Sequence, residues 1–129
     1  MSIYYSQSII HGFGVFTNKK IKKGKIISSD PVILIPTKEL KHLDKTILAK
    51  YYFEFDKNSG ALCLGLGSLY NHSYDANATF EINLKNQTII FTSVKNIKKG
   101  EEIFINYNQK ADDKTPLETW WDKDFKKSL

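Results

Sequence analysis

Two stretches decide how this chain folds: Asn71-His72-Ser73, with Asn77 close behind, and Gly100-Glu101-Glu102-Ile103-Phe104-Ile105-Asn106-Tyr107. The first is a polar cluster that follows an apolar run from Cys63 to Tyr70, and the second is a strand-like segment that ends in a tyrosine. Polar groups delivered by an apolar segment are usually buried, so they need hydrogen-bond partners. We therefore expect Asn71 and His72 to hold a ligand or another piece of backbone, and the sequence predicts the functional site here.

The size and composition of the chain predict a single domain over residues 1–129. It has 129 residues and a hydrophobic fraction of 41%, which is ordinary for a globular protein with one core. No apolar run approaches the roughly 18 residues that would suggest a membrane span. The N-terminus also lacks the charged start and long apolar centre of a secretory signal. We expect an intracellular protein, in the cytoplasm or the nucleus, without a membrane segment.

Cysteine and histidine give no indication of a metal site. Cys63 is the only cysteine, so an internal disulfide cannot form and the cysteine spacings of structural zinc sites are absent. The spacing of His11, His42 and His72 matches no ligand motif, which argues against a metal hydrolase. We expect no metal.

The positive charge of the chain comes entirely from lysine. All 19 basic residues are lysines, and the absence of arginine argues against bidentate recognition of phosphate or guanine as a main task. The formal charge of +5 makes nucleic acid a partner to consider through counterion release. Along the sequence, however, the lysines occur in pairs at turns and not in one stripe. This distribution favours solvated lysines, with at most weak direct binding of nucleic acid.

The remaining sequence predicts a β-rich chain with one helical insert at about residues 38–50. Thr37 is a candidate helix cap, and apolar residues recur near helical spacing from Leu40 to about Ala49. Two prolines, Pro31 and Pro36, stand at the ends of an apolar run where they would disturb a strand least. The predicted strands are 3–10, 32–35, 51–56, 79–84 paired with 88–92, and 103–105.

A short sequence occurs twice. The stretch Ile21-Lys22-Lys23-Gly24-Lys25-Ile26-Ile27 returns late in the chain as Ile97-Lys98-Lys99-Gly100-Glu101-Glu102-Ile103. Each copy has the pattern of a strand, a glycine turn flanked by lysines, and a second strand. The repeat therefore predicts two similar β-hairpin units.

Four motifs, in this order, make the chain resemble the SET-domain family of protein lysine methyltransferases, and in particular its minimal single-domain viral and bacterial members. They are Gly12-Phe13-Gly14-Val15-Phe16, Tyr51-Tyr52-Phe53-Glu54-Phe55-Asp56, Asn71-His72-Ser73 with Asn77, and Gly100 to Tyr107. The family usually has cysteine and proline where Tyr74 and Ala76 stand, and its zinc-binding cysteines after the tyrosine are absent. The resemblance implies a mainly β, β-clip-like SET fold of several short sheets with a helical insert. It also implies a pseudoknot that brings Asn71 and Tyr107 together.

The resemblance further implies the cofactor S-adenosylmethionine. Its expected contacts are the main chain near Gly12 and Gly14, the Phe13 ring as a wall, and the polar groups of Asn71 and His72. In the absence of a zinc-bound lid, the segment at about 108–129 would close the cofactor site, with Trp120 over the adenine. The alternative, in which the terminal tryptophans pack on the core, stays open.

Tyr107 is the expected catalytic residue, with its hydroxyl beside the transferred methyl group and in contact with the cofactor. Tyr51 is expected to line the lysine channel, while strand alternation turns Tyr52 to the opposite face. Ile105 stands where the family varies residue size to set how many methyl groups fit. Asn77 and Ser73 are expected to tie the crossing of the two segments together by hydrogen bonds to backbone.

Two functions follow as hypotheses. The first is methylation of lysine in a basic protein tail, such as that of a histone, in the nucleus of a host cell if the source is a virus or a secreting bacterium. The second is a SET-like module without catalysis that binds protein or nucleic acid. The sequence leaves open the target lysine and whether two copies form a homodimer.

Overall fold

The computed structural model describes residues 2–115, and the fold is mainly β, as predicted. Besides one α-helix there are two 3₁₀ turns, Ile47–Lys50 and Gly67–Leu69. The strands and the helix are, in chain order, β1 (Ile3–Gln7), β2 (Phe13–Thr17), β3 (Ile26–Pro36), α1 (Thr37–Leu43), β4 (Tyr52–Asp56), β5 (Ser59–Cys63), β6 (Asn71–His72), β7 (Ala78–Asn83), β8 (Thr88–Ser93) and β9 (Glu102–Ile105). Across residues 2–115, no helix is long and apolar enough to cross a membrane.

The strands of residues 2–115 form two sheets, and the smaller one carries segments that the sequence predicts to be functional. Its order is β1-β2-β9-β6, so the Gly12 to Phe16 motif, the strand before Tyr107 and the Asn71 cluster lie side by side. In the larger sheet the order is β4-β5-β3-β8-β7. Fully buried apolar side chains of both sheets, among them Val15, Phe91, Ile103 and Ile105, form one core. The hairpin predicted for 79–84 and 88–92 is present as β7 and β8.

Strand β3 is longer than the sequence predicts, because it runs through Pro31 instead of starting after it. Its first half pairs with β8 up to Pro31 opposite Thr88, and its second half pairs with β5 from Val32 opposite Cys63. Proline cannot donate a ladder hydrogen bond. It is tolerated here because it stands where the strand changes partners, and its carbonyl still accepts from the Leu64 amide at 2.9 Å.

The predicted helix is split. Helix α1 ends at Leu43, and only the 3₁₀ turn continues the pattern to Lys50. Thr46 causes the break, because its hydroxyl donates to the Leu43 carbonyl at 2.7 Å and accepts from the Leu48 amide at 3.2 Å. Threonine thus ends one helix and caps the next. Thr37 is not a cap, since it is already the first helical residue and Pro36 precedes it without a side-chain hydrogen bond.

The repeated sequence does not form two hairpins. Each copy carries the chain between the sheets, and the copies pair with each other through an antiparallel bridge between Ile21 and Ile97. Gly24 and Gly100 both have φ of 86°, and their amides donate to the Ser93 and Thr17 carbonyls at 2.8 and 2.7 Å. The prediction was wrong in topology because a turn sequence specifies a change of direction but not the partner of the strand that follows.

Candidate functional site

A cleft opens where the Gly12 loop, β6 and the residues after β9 meet. Counted with the open solvent at its mouth, it holds about 490 Å³ of empty space. Its walls are both apolar and polar, which suits a ligand with an aromatic part and charged ends. The lining residues are His11, Phe13, Lys50, Tyr51, Ser68, Leu69, Asn71 and Tyr107.

Tyr107 is fixed in this cleft by the parallel pairing of β6 with β9, in which Asn71 lies opposite Phe104 and His72 opposite Ile105. The Tyr107 amide donates to His72 Nδ1 at 3.0 Å, and its hydroxyl donates to the Tyr70 carbonyl at 3.0 Å. Burial raises the pKa of the Tyr107 hydroxyl, with a smaller contribution from Tyr51. The hydroxyl therefore stays neutral, and its oxygen keeps lone pairs that can accept a further contact.

Asn71 holds the glycine loop against the sheet. Its side-chain amide nitrogen donates to the carbonyls of His11 at 3.0 Å and Phe13 at 3.1 Å. The same nitrogen contacts Glu102 Oε2 at 2.9 Å. Asn71 thus binds another piece of backbone, one of the two outcomes expected from its burial. Each of those carbonyls has a second lone pair, so both can still accept from a ligand.

Glu102 belongs to the Gly100 to Tyr107 motif, but the sequence did not reveal its role in the site. Its half-buried carboxylate accepts from the Ser8 hydroxyl at 2.7 Å and from Asn71, so it joins the residue after β1 to strand β6. A Cβ on Gly14 would overlap this carboxylate, whereas Gly12 has φ of 47° and open space around it. An acidic residue directly before a buried strand residue was the available signal, because such an acid needs a partner.

The two neighbouring tyrosines point in different directions. Tyr51 lies in the lining of the cleft. Tyr52 packs against Gly60, and its hydroxyl donates to Asp44 Oδ1 at 2.6 Å. Ile105 is fully buried in the core two positions before Tyr107, and its contribution to a lysine channel stays a prediction. Trp120, together with the lid after residue 115, lies outside the described residues.

Asn77 clamps strand β9 as expected. Its amide nitrogen donates to the Glu102 carbonyl at 2.9 Å, and its amide oxygen accepts from the Phe104 amide at 2.8 Å. The Ser73 amide donates to the Ile105 carbonyl at 3.0 Å. The Ser73 hydroxyl instead accepts from the Asp75 amide, two residues later. Asn77 therefore acts as a structural residue that sets the position of the strand before Tyr107.

A second polar cluster lies behind the cleft and was also missed. The hydroxyls of Ser28 and Tyr70 are 2.8 Å apart, and Ser28 donates to Asp30 Oδ2 at 3.3 Å. Burial raises the pKa of Asp30 and of the Tyr70 hydroxyl. Burial and the neighbouring Asp30 raise the pKa of the Cys63 thiol to about 12. A thiol with so high a pKa is a packing group and not a nucleophile.

The histidines do not converge on a metal site. Throughout the stretch from residue 2 to residue 115, no group of three or more histidine, cysteine, aspartate or glutamate side chains is placed to hold a metal ion. His11 lines the cleft, His72 contacts the backbone of Tyr107, and His42 is on helix α1. The imidazole of His72 instead accepts from the Tyr107 amide, which is a backbone contact.

Comparison with known proteins identifies the fold. The family model of the SET domain matches residues 12–108. A Schizosaccharomyces pombe protein named histone-lysine N-methyltransferase, H3 lysine-37 specific, is 31% identical over 97 residues, which are 74% of this chain and 66% of that protein. This chain therefore spans slightly less than two thirds of that relative.

Solved structures agree with the family model. A candidate histone methyltransferase of Plasmodium falciparum is 35% identical with a TM-score of 0.72, over 93% of this chain and 96% of that one. The polycomb repressive complex 2 of Chaetomium thermophilum aligns at a TM-score of 0.72 and 23% identity, over 91% of this chain and 16% of that one, which shows the fold alone. The predicted fold class, a SET-type arrangement of short sheets with a helical insert, is confirmed.

Proposed function

We propose a function from the premise that this chain belongs to the SET-domain family: it is an S-adenosylmethionine-dependent protein-lysine N-methyltransferase. The observation that carries the proposal is the position of Tyr107. Its neutral hydroxyl is held at the wall of the cleft by the Tyr70 carbonyl, and its amide is held by His72. Four segments that are distant in the sequence meet at this one cleft.

The residues of the cleft fit the chemical groups of the cofactor. The carbonyls of His11 and Phe13 can accept from an ammonium group, while Lys50 and His11 can face a carboxylate. The Phe13 ring, 53% exposed, offers an apolar surface to an adenine. When bound, S-adenosylmethionine supplies a methyl group on a positively charged sulfur, which a neutral amine can take in line.

Alignment is the main task of the protein in such a transfer. Holding two reactants in near-attack geometry can lower a barrier by roughly 7–11 kcal/mol. The Tyr107 oxygen can orient a methyl group through weak C–H···O contacts, each about 0.5–1 kcal/mol. Asn71, Glu102 and Asn77 fix the surrounding backbone, so the tyrosine does not have to be ordered during the reaction.

The target lysine must lose its proton before it can attack. Deprotonation at pH 7 from a reference pKa near 10.4 costs about 4–5 kcal/mol. A dry channel lined by aromatic rings such as Tyr51 and Tyr107 disfavours the charged ammonium and lowers this cost. Because the hydroxyl of Tyr107 is itself neutral, it adds no charge that would hold the proton on the lysine.

The substrate we propose is a lysine in a basic protein tail, of the histone type that the S. pombe relative's name specifies. A nuclear location in the cell, or in a host cell, accords with such a substrate. We further propose that Trp120 covers the adenine from the segment after residue 115. A Trp120→Ala variant is then expected to weaken cofactor binding more than Trp121→Ala does, as measured by calorimetry.

The deciding experiment compares the wild type with Tyr107→Phe. Calorimetry is expected to show that both proteins bind S-adenosylmethionine, because the removed hydroxyl is one group among many. Radiolabelled methyl transfer to separated histones is expected only from the wild type, and mass spectrometry of the product identifies the lysine. Binding without transfer by the wild type would leave the SET-like module without catalysis as the function, and absence of binding would exclude the proposed cofactor.

A further inference from the structure

The two copies of the repeated sequence bring lysines that are distant in the sequence close together. The amide of Ile21 donates to the Ile97 carbonyl at 2.9 Å, and the amide of Ile97 donates to the Ile21 carbonyl at 2.8 Å. This bridge joins a segment with five lysines, residues 19–25, to a segment with three lysines, residues 95–99. All eight are solvent-exposed. We call them the lysine surface.

Among residues 2–115, the lysine surface holds the whole excess of positive charge. Of the 11 acidic residues in that part of the chain only Asp75 and Glu101 belong to this region, so the other eight of its 16 lysines are outnumbered by nine acidic residues. Within residues 2–115, the one ion pair made by these lysines joins Lys95 to Asp75 at 2.7 Å. The bridge between Ile21 and Ile97 also brings the lysines on either side of it near one another, and like charges held close together repel unless an anion lies between them.

The backbone beneath these lysines is rigid. The Lys23 amide donates to Asn96 Oδ1 at 2.9 Å, and the buried Ser93 hydroxyl donates to the Lys22 carbonyl at 2.6 Å. The buried Thr17 hydroxyl donates to the Lys19 carbonyl at 2.6 Å. The backbone therefore fixes where each lysine side chain starts, while the side chains themselves stay flexible and can adjust to a partner with repeated negative charge.

The lysine surface and the cleft lie at opposite ends of the same strands. The lysines follow the Thr17 end of β2, while Phe13 at the other end lines the cleft. A strand of this length separates the two by on the order of 13 Å. A partner bound at the lysines therefore leaves the cleft accessible to a peptide.

We propose that the lysine surface binds the phosphate backbone of duplex DNA, so that the protein docks on the nucleic acid that carries its basic substrate. The inference rests on the proposed function. It also removes a difficulty of that function, because a positively charged enzyme repels a lysine-rich tail but is attracted to the DNA beside it. Lysine gives point contacts without bidentate geometry, so the binding is independent of base sequence.

The test uses two variants with the same change of net charge. Lys20→Gln, Lys22→Gln, Lys98→Gln and Lys99→Gln together remove half of the lysine surface. The control combines Lys38→Gln, Lys41→Gln, Lys57→Gln and Lys85→Gln, which are exposed residues elsewhere. Circular dichroism confirms that both variants fold. Binding to a 20-base-pair duplex is measured by fluorescence anisotropy at several salt concentrations, and methyl transfer is measured on a free peptide and on a DNA-bound basic protein.

The surface variant is expected to bind the duplex at least about tenfold more weakly, with a salt slope reduced by up to about 3.6 if all four lysines contact phosphates. The control is expected to match the wild type. Both variants are expected to methylate the free peptide normally, and only the surface variant to lose activity on the DNA-bound protein.

Equal DNA affinity and equal salt slope in the two variants would overturn the inference. Binding to phosphatidylserine vesicles is measured for the same proteins. If the surface variant lost binding to the vesicles but kept its affinity for DNA, the inference would also be overturned. Methylation of the free peptide by the wild type tests the proposed function independently of DNA binding. If the wild type methylated no substrate, that function would fail whatever the DNA result.

Discussion

Gly12 and Gly14 are two positions apart, yet they are glycines for different reasons. Gly12 adopts φ of 47° in open space, so its constraint is conformational. Gly14 has ordinary φ, but a side chain there would occupy the place of the Glu102 carboxylate. Gly14 is therefore required by the half-buried carboxylate of Glu102, and Gly12 by the conformation of its backbone.

This difference predicts a compensation between two substitutions. Gly14→Ala is expected to destabilise the protein by about 1–3 kcal/mol, because the added methyl overpacks against Glu102. In a Glu102→Ala background the same change is expected to cost much less, giving a coupling energy of about 0.5–3 kcal/mol. Urea unfolding of the four proteins measures it. Gly12→Ala is the matched control, since Glu102→Ala cannot relieve a backbone constraint; equal coupling at both glycines would contradict this account.

Asp30 predicts a pH dependence of a definite sign. Burial raises its pKa, so the folded protein holds this proton to higher pH than the unfolded chain does. The stability contributed by protonated Asp30 is then complete below the unfolded pKa of about 3.9 and is lost as the pH rises through the folded value. Asp30→Asn should remove this loss. The free energy of unfolding of the variant, relative to that of the wild type, should therefore rise between pH 3 and pH 7.

Asp56 provides the control with the opposite sign. Hydrogen bonds from the Ser59 hydroxyl and the Asn58 amide lower the pKa of this exposed carboxyl. Its stabilising effect is present above the unfolded pKa and is lost as the pH falls through the folded one. The free energy of unfolding of the wild type, relative to that of Asp56→Asn, should therefore rise as the pH rises. Parallel pH profiles for the two variants in chemical unfolding would refute the assignment.

At the scale of elements, the sequence predicts those helices and strands whose formation depends on residues nearby in the chain. The alternation in 79–84 and 88–92 fixes a hairpin, because the strands are neighbours along the chain. The helix was predicted too long, since Thr46 can use its hydroxyl either within a helix or at an end, and spacing alone does not distinguish these. Strand β3 was predicted too short, because its tolerance of Pro31 depends on which strand lies alongside.

The two glycine turns predict matched effects. Gly24 and Gly100 share φ of 86°, and no atom lies within 4 Å of a Cβ built on either. Alanine at either position should cost about 1–2 kcal/mol from backbone strain alone. Asparagine, which tolerates this conformation better, should cost less at both. Thermal unfolding of the four single variants measures this, and unequal costs at the two turns would show that the repeats are not equivalent.

At the scale of the molecule, the sequence predicted the cleft better than the surface. Tyr107, Asn71 and Phe13 could be named because their motifs resemble those of a family. The role of Glu102 could not be predicted although it belongs to the same motif as Tyr107, since its partner Ser8 lies 94 positions away and belongs to no motif. The lysines appeared scattered because sequence separation conceals the bridge that joins Ile21 to Ile97.

Cofactor binding should stabilise the folded molecule as a whole. A ligand at 100 times its dissociation constant adds about 2.7 kcal/mol, so S-adenosylmethionine should raise the unfolding temperature by several degrees. Phe13→Ala should reduce this shift with little effect on the unliganded protein, because the ring is half exposed. Tyr4→Ala, which removes an exposed aromatic ring stacked on Phe16, should leave the shift unchanged. Equal shifts in both variants would exclude Phe13 from the cofactor wall.

Strand β9 is the last strand in chain order among the described residues, and it lies between two that precede it, β2 and β6. All strands of the five-stranded sheet fall within residues 26–93, so that sheet can form before β9 has inserted between β2 and β6. The cleft cannot exist at that stage, because Tyr107 and the carboxylate that contacts Asn71 are not yet in place. Long-range pairing of this kind forms slowly. Insertion of β9 is therefore expected to be a late folding step, and the cleft to form only with it.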